Sequence, residues 1–219
     1  MANSPEVTRL TTEKSARVYH LGDPGAATEI WFVLHGFGQL AGGFVNTFAP
    51  ALRPRRLIVA PEALNHYYTD HRGKKVGATW MTSEDREAEI ADYVRYLDRV
   101  AASFGVPSRV ERTEIHGFSQ GSATAARWVA LGEVRPARLV IWGGELPPDP
   151  PLEGWLARLN AVDLTLVMGD KDEYYAQDRV DTHAERMDAA GVRYTMHRFS
   201  GGHVVDLGVL ATLAGSHLP

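Results

Sequence analysis

Several short runs in this chain are apolar at almost every position: Ile30–Leu34, Leu57–Ala60, Leu139–Trp142 and Leu164–Met168. A strand with one wet face would alternate polar and apolar residues. Unbroken runs instead suit strands covered on both faces, the condition of a parallel sheet packed between helices. Longer stretches with helical spacing separate them. The clearest runs from Ser83 to Phe104, where Ile90, Tyr93, Val94, Leu97, Val100, Ala101 and Phe104 recur at intervals of three and four. Thr82 and Asp85 predict a capping box at its start, and Gly105 with Pro107 predict its end. Further strands are expected at Arg17–His20, Thr113–His116 and Tyr194–Phe199, and further helices from near Gly43, Ser122, Leu152, Tyr175 and Val204. The expected class is α/β: a mostly parallel central sheet with helices on both faces, in a single domain over 1–219.

Composition narrows the function. Lys and Arg total 23 against 27 Asp and Glu, a net charge of −4 that lacks the basic footprint of a nucleic-acid binder. Without cysteine there is no disulfide, thiolate metal site or cysteine nucleophile. No apolar run is long enough to span a bilayer. The start, Met1-Ala2-Asn3-Ser4-Pro5-Glu6, has no basic region leading into an apolar one, so the reading is a cytoplasmic protein. No His-Glu-x-x-His occurs, and no metal or organic cofactor is implied.

Gly117-Phe118-Ser119-Gln120-Gly121 fits Gly-x-Ser-x-Gly. A serine exposed on a sharp strand-to-helix turn needs glycines two residues either side to avoid clashes. With 21 glycines and nine serines, random order would produce this pattern roughly 0.08 times per chain. Its context is more specific. An extended Arg112–His116 segment precedes it, and the helix-forming stretch Ala123–Ala130 follows.

A serine hydroxyl needs a base to take its proton and an acid to orient that base. Ser200-Gly201-Gly202-His203 follows the last predicted strand, and Gly169-Asp170-Lys171-Asp172-Glu173 follows the one before. Both stand at carboxyl ends of strands, where sites in open α/β sheets lie. His203 is the candidate base. Asp170, Asp172, Glu173 and Glu145 compete as the acid.

His35-Gly36-Phe37-Gly38 follows the Ile30–Leu34 strand and suits a loop whose backbone N–H groups receive an oxyanion. Phe37 is the candidate donor there, and Gln120, after the serine, the second. The same loop permits a rival from another class. Gly36, Gly38 and Gly42 approximate a dinucleotide fingerprint, with Glu62 twenty residues beyond Gly42, as in a nicotinamide-dependent oxidoreductase. The third glycine is displaced, however, and that reading leaves Ser119, Asp172 and His203 without a role.

Pro61–Thr82 fits neither strand nor helix periodicity and holds His66, Tyr67, Tyr68, His71, Trp80 and Met81. Long irregular stretches in compact domains are often lids or binding loops. The expectation is a lid or pocket loop over 61–82, with Leu40, Tyr67, Tyr68 and Trp80, beside Phe37, lining an acyl pocket.

Taken together, His35–Gly38, Gly117–Gly121, Gly144-Glu145-Leu146-Pro147, Gly169–Asp172 and Gly202-His203 resemble the phospholipase/carboxylesterase family of α/β-hydrolases, over roughly residues 30 to 206. That resemblance implies the α/β-hydrolase fold, with Ser119 as nucleophile, Asp172 as acid, His203 as base, and Phe37 and Gln120 as oxyanion donors. It implies hydrolysis of small-molecule carboxylic esters, and the bulky side chains of the expected pocket point to short to medium acyl chains. Thioesterase, lysophospholipase and acyltransferase activity are alternatives on the same fold, and a non-catalytic small-molecule receptor is one outside catalysis. Two departures concern substrate class: Gln39 stands where many members have aspartate, and Ser122 where many have a second glycine. The Pro61–Thr82 stretch also differs from that of the thioesterases. Oligomeric state has no signal in the sequence.

Overall fold

A computed structural model describes residues 6–70 and 72–215. The Met1–Pro5 start, read above for a targeting signal, and His71 lie outside the described residues. In chain order the elements are β1 (Val18–Leu21), β2 (Glu29–Leu34), α1 (Ala41–Phe44) running into a 3₁₀ turn (Val45–Ala51), β3 (Arg56–Pro61), β4 (Asn65–Asp70), β5 (Lys75–Thr79) and α2 (Arg86–Ser103). There follow β6 (Arg112–Phe118), α3 (Gln120–Leu131), β7 (Arg138–Trp142), a 3₁₀ turn (Leu152–Gly154), α4 (Leu156–Leu159), β8 (Asp163–Gly169), α5 (Gln177–Ala189), β9 (Thr195–Phe199) and α6 (Leu207–Gly215).

Seven strands form one sheet in the order β1-β3-β2-β6-β7-β8-β9. Only β1 runs antiparallel to its neighbour; the other pairings are parallel. The unbroken apolar runs now have their cause. In β2, Ile30, Phe32 and Leu34 enter the core shared with α2 and α3, while Trp31 and Val33 enter the one beneath α1 and α6. β3 and β7 divide in the same way: Leu57, Val59, Leu139 and Ile141 point to one side, Ile58, Ala60, Val140 and Trp142 to the other.

Two local expectations need correction. No capping box forms at α2: Asp85 has φ 48°, its carboxylate is taken by Arg9, and Thr82 Oγ accepts instead from Glu84 N–H. Nor is Pro61–Thr82 structureless. β4 and β5 pair as an antiparallel hairpin, with Tyr67 opposite Gly77 and Tyr68 opposite Val76. β4 is exposed or half-buried throughout, while Gly77, Ala78 and Thr79 of β5 are buried in succession, so the pair shows no clear alternation in the sequence. Its β-branched and aromatic residues still favour strand, and Arg72-Gly73-Lys74 makes the turn.

Candidate active site

The carboxyl ends of β2, β6, β7, β8 and β9 converge on one rim of the sheet. Ser119 sits between β6 and α3 with φ 54° and ψ −117°, a conformation that costs a non-glycine residue about 1–3 kcal/mol. Its flanking glycines are required by space alone. A Cβ on Gly117 would stand 2.3 Å from Gly121 O, and one on Gly121 would stand 2.2 Å from Leu34 O. Ser122 is fully buried, and its hydroxyl donates to Gly117 O (2.9 Å) and Trp142 O (3.2 Å), bridging the ends of β6 and β7. Gly144 makes room for it, since a Cβ there would lie 2.4 Å from Ser122 Oγ.

Asp172 and His203 meet: Oδ2 lies 2.7 Å from Nδ1, with the carboxylate side chain 1% exposed and the imidazole 14%. The other oxygen, Oδ1, accepts the N–H groups of Tyr174 (2.9 Å) and Tyr175 (3.2 Å), so all of Asp172 is engaged. Gly143, at φ 49°, is the floor under the pair; a Cβ would come 3.0 Å from His203 Nδ1. Phe118, Tyr174 and Tyr175 surround the imidazole, with ring centroids 4.8, 4.8 and 6.0 Å away. No hydrogen bond joins Ser119 Oγ to His203 among the described residues; such contacts often tighten only around bound substrate.

The other three carboxylates have different surroundings. Asp170 accepts Gly201 N–H (3.0 Å) and so holds the loop that carries His203. Glu145 pairs with Arg179, and Glu173 is exposed. Gly169 lets that loop cross closely, since a Cβ would meet Gly201 O at 2.3 Å.

On the opposite side lies the loop after β2. Gly36 N–H donates to Gln39 Oε1 (2.8 Å), Gly38 N–H to Ala78 O (2.9 Å) and Gln39 N–H to Gly36 O (3.2 Å). Within Gly36–Gln39 only the Phe37 N–H has no partner among the described residues. The hairpin braces this loop. Ala78 N–H returns a bond to Gln39 O (3.2 Å), and a Cβ on Gly77 would lie 2.5 Å from Gly38 O. Gln120 adds a further tie through its side chain, accepting Trp80 N–H (3.1 Å) and donating to Met81 O (2.9 Å). His35 is buried and structural. Ala63 N–H donates to its Nε2 (3.1 Å), which leaves the proton on Nδ1 for Gly36 O (2.8 Å); burial lowers its pKa.

The expected acyl wall is only partly assembled. Phe37 is 60% exposed, and its ring meets half-buried Tyr67 at 5.3 Å. Tyr68 points from the other face of β4. Leu40 packs partly into the core, and Trp80 lies wholly within it at 1% exposure. The Trp80 indole N–H donates to His35 O at 2.8 Å, since a buried indole needs a polar partner. Trp80 therefore supports the loop after β2 from beneath and lines no surface here.

The dinucleotide reading fails on the same residues. Gly42 lies within α1, which has only four residues, and clears the Tyr19 ring, which a Cβ would approach to 2.9 Å. Glu62 is buried. Among the described residues no cluster of three His, Asp or Glu could hold a metal ion, and no helix is long and apolar enough to cross a membrane.

Solved structures with this architecture include a Zea mays acyl-protein thioesterase 2, 17% identical with a TM-score of 0.71, matched over 91% of this chain and 96% of that one. A carboxylesterase from Mesorhizobium loti is 17% identical (TM-score 0.70, over 91% and 92%), and esterase PE8 is 21% identical (TM-score 0.69, over 92% and 97%). At these identities the likeness establishes the α/β-hydrolase fold. No curated protein matches the sequence. The phospholipase/carboxylesterase family model, however, matches residues 16–214, almost the whole chain, and on that match the chain belongs to this family of hydrolases.

Proposed function

We propose that the chain hydrolyses small-molecule carboxylic esters through an acyl-enzyme, with Ser119 as nucleophile, His203 as general base and Asp172 as the acid that orients it. The observation that carries this reading is the pairing of buried Asp172 with partly exposed His203, 2.7 Å apart, at the same rim as the strained Ser119 turn. His203 Nε2 takes the Ser119 proton as Oγ attacks the ester carbon. The carbonyl oxygen becomes an oxyanion that accepts the Phe37 and Gln120 N–H groups. Collapse expels the alcohol, which receives its proton from His203. A water deprotonated by the same imidazole then attacks the acyl carbon, and Ser119 leaves with the proton restored. The family and its esterase and thioesterase folds support hydrolysis.

The exposed Phe37 ring against Tyr67 supports an acyl group of short to medium length lying on that surface. Each buried methylene contributes at most about 0.8 kcal/mol, roughly fourfold in kcat/KM, until the surface is covered. A series of p-nitrophenyl esters from acetate to dodecanoate, with one thioester of matched acyl group, tests this. The expected profile rises and then falls at short or medium length for the wild type and flattens in Phe37→Ala. Absence of ester hydrolysis with a rapid thioester reaction would reassign the substrate class, and no hydrolysis of either would remove the reading.

A further inference from the structure

Glu62 directly follows β3, a 2%-exposed carboxylate to which the mechanism above gives no role. Burying a carboxylate costs several kcal/mol unless donors surround it. Here Oε1 accepts from Arg17 Nε (2.6 Å) and from His66 Nε2 (2.9 Å), with Arg17 Nη2 also in contact. Oε2 accepts Ala41 N–H (3.1 Å). Burial pushes its carboxyl up, but His66, Arg17 and the Ala41 N–H together outweigh that and hold it below the usual carboxylate range.

The next residue works on the same loop from its other end. Ala63 N–H donates to His35 Nε2, and His35 Nδ1–H donates to Gly36 O. Two consecutive residues after β3 thus anchor the segment on both sides of Phe37, at Gly36 and at Ala41. Between those anchors lies the one N–H of Gly36–Gln39 that has no partner among the described residues. We infer that Glu62 is a positioning residue: its carboxylate, held by Arg17 and His66, fixes the direction of the Phe37 N–H through Ala41 and so sets the strength of the oxyanion hole. This rests on the ester-hydrolase reading.

Removing one oxyanion donor outright costs about 10²–10³ in kcat, so misdirecting one should cost about 10- to 100-fold. The test compares wild type, Glu62→Ala, Arg17→Met and Leu97→Ala with a p-nitrophenyl ester and with a trifluoromethyl ketone, whose Ser119 hemiketal places an oxyanion in the hole. Leu97→Ala hollows the core beneath α2, to which Leu97 belongs, and is the stability control, compared through Tm. For Glu62→Ala the expected result is a kcat loss in that range, KM within about twofold, and a ketone Ki raised by the same factor as kcat/KM falls. Arg17→Met, at a half-exposed position and with His66 and the Ala41 N–H still on the Glu62 carboxylate, should repeat the pattern at about 3- to 10-fold with its Tm measured alongside, and decides the matter if Glu62→Ala does not fold. Leu97→Ala should lose Tm without losing kcat. The inference is overturned if wild type is active while Glu62→Ala and Arg17→Met keep kcat within twofold, or if Leu97→Ala loses as much activity at equal Tm. An inactive wild type would instead overturn the ester-hydrolase reading.

Discussion

Asp172→Asn makes the triad reading quantitative because the amide can sit in only one way. Oδ1 of Asp172 accepts two backbone N–H groups, from Tyr174 and Tyr175. Turning an NH₂ toward them would oppose donor to donor and orphan both, each at about 1–3 kcal/mol. The amide oxygen therefore keeps that position and the NH₂ faces His203 Nδ1, where Oδ2 stood at 2.7 Å. Nδ1 must then be the acceptor, so the proton moves to Nε2, the atom that should take it from Ser119. The imidazole is left in the wrong tautomer, which in a serine triad costs about 10⁴ in kcat, or about 5.5 kcal/mol of barrier. Asp170→Asn keeps an oxygen for Gly201 N–H, and Glu145→Gln weakens only a surface pair with Arg179; each should stay within about threefold. The assay is kcat on a p-nitrophenyl ester for the three variants, with Tm measured alongside. If Asp172→Asn retains more than about a tenth of wild-type kcat, or Glu145→Gln is the silent enzyme, the tautomer argument is wrong.

Gly121→Ala drives a methyl to 2.2 Å from Leu34 O in rigid backbone and should cost at least about 2 kcal/mol, read as a lowered urea midpoint. Trp80→Phe leaves His35 O without its indole donor and should cost about 1–3 kcal/mol, while the acyl-length optimum stays where it is. A shifted optimum would return Trp80 to the substrate surface. For pH, burial lowers the His183 pKa from 6.5 to about 4, so the unfolded chain binds the proton first and stability falls as pH drops from 6.5 toward 4. Burial raises the Glu114 pKa, but His116, Arg112 and Arg138 outweigh this and bring it from 4.5 to about 2, so a further loss of stability falls between those values. Urea midpoints at pH 7, 5 and 3 check both windows; Glu114→Gln should flatten the lower one.

What could be read from the sequence was whatever neighbouring residues decide. The apolar runs mark strands because a strand between two cores must be apolar on both sides, and β2, β3 and β7 feed alternate side chains to each. The Ser119 turn announces itself because Gly117 and Gly121 collide with backbone if they carry a Cβ. What stayed hidden depends on partners distant in sequence. Asp85 fails as half of a capping box because Arg9, 76 positions away, takes its carboxylate. An aromatic in an irregular stretch reads the same whether it faces solvent or core, and only the His35 carbonyl, 45 positions away, decides Trp80. Among four candidate acids the turn spacing could favour Asp172 only by resemblance. In the fold Asp170 and Glu145 have partners of their own, and Glu173 faces out. Glu62 gave one faint sign, a carboxylate directly after a buried strand; its role depends on the backbone of Ala41, which no side-chain pattern reveals.

The central claim is that Ser119 carries the covalent step. The most direct measurement is mass spectrometry of the protein after reaction with a fluorophosphonate, with peptide mapping, alongside ester hydrolysis by the same samples. One adduct per chain on the peptide holding Ser119, with hydrolysis lost in proportion to labelling and both absent in a folded Ser119→Ala, is the predicted result. Labelling at another residue, or hydrolysis that persists in Ser119→Ala, would contradict it.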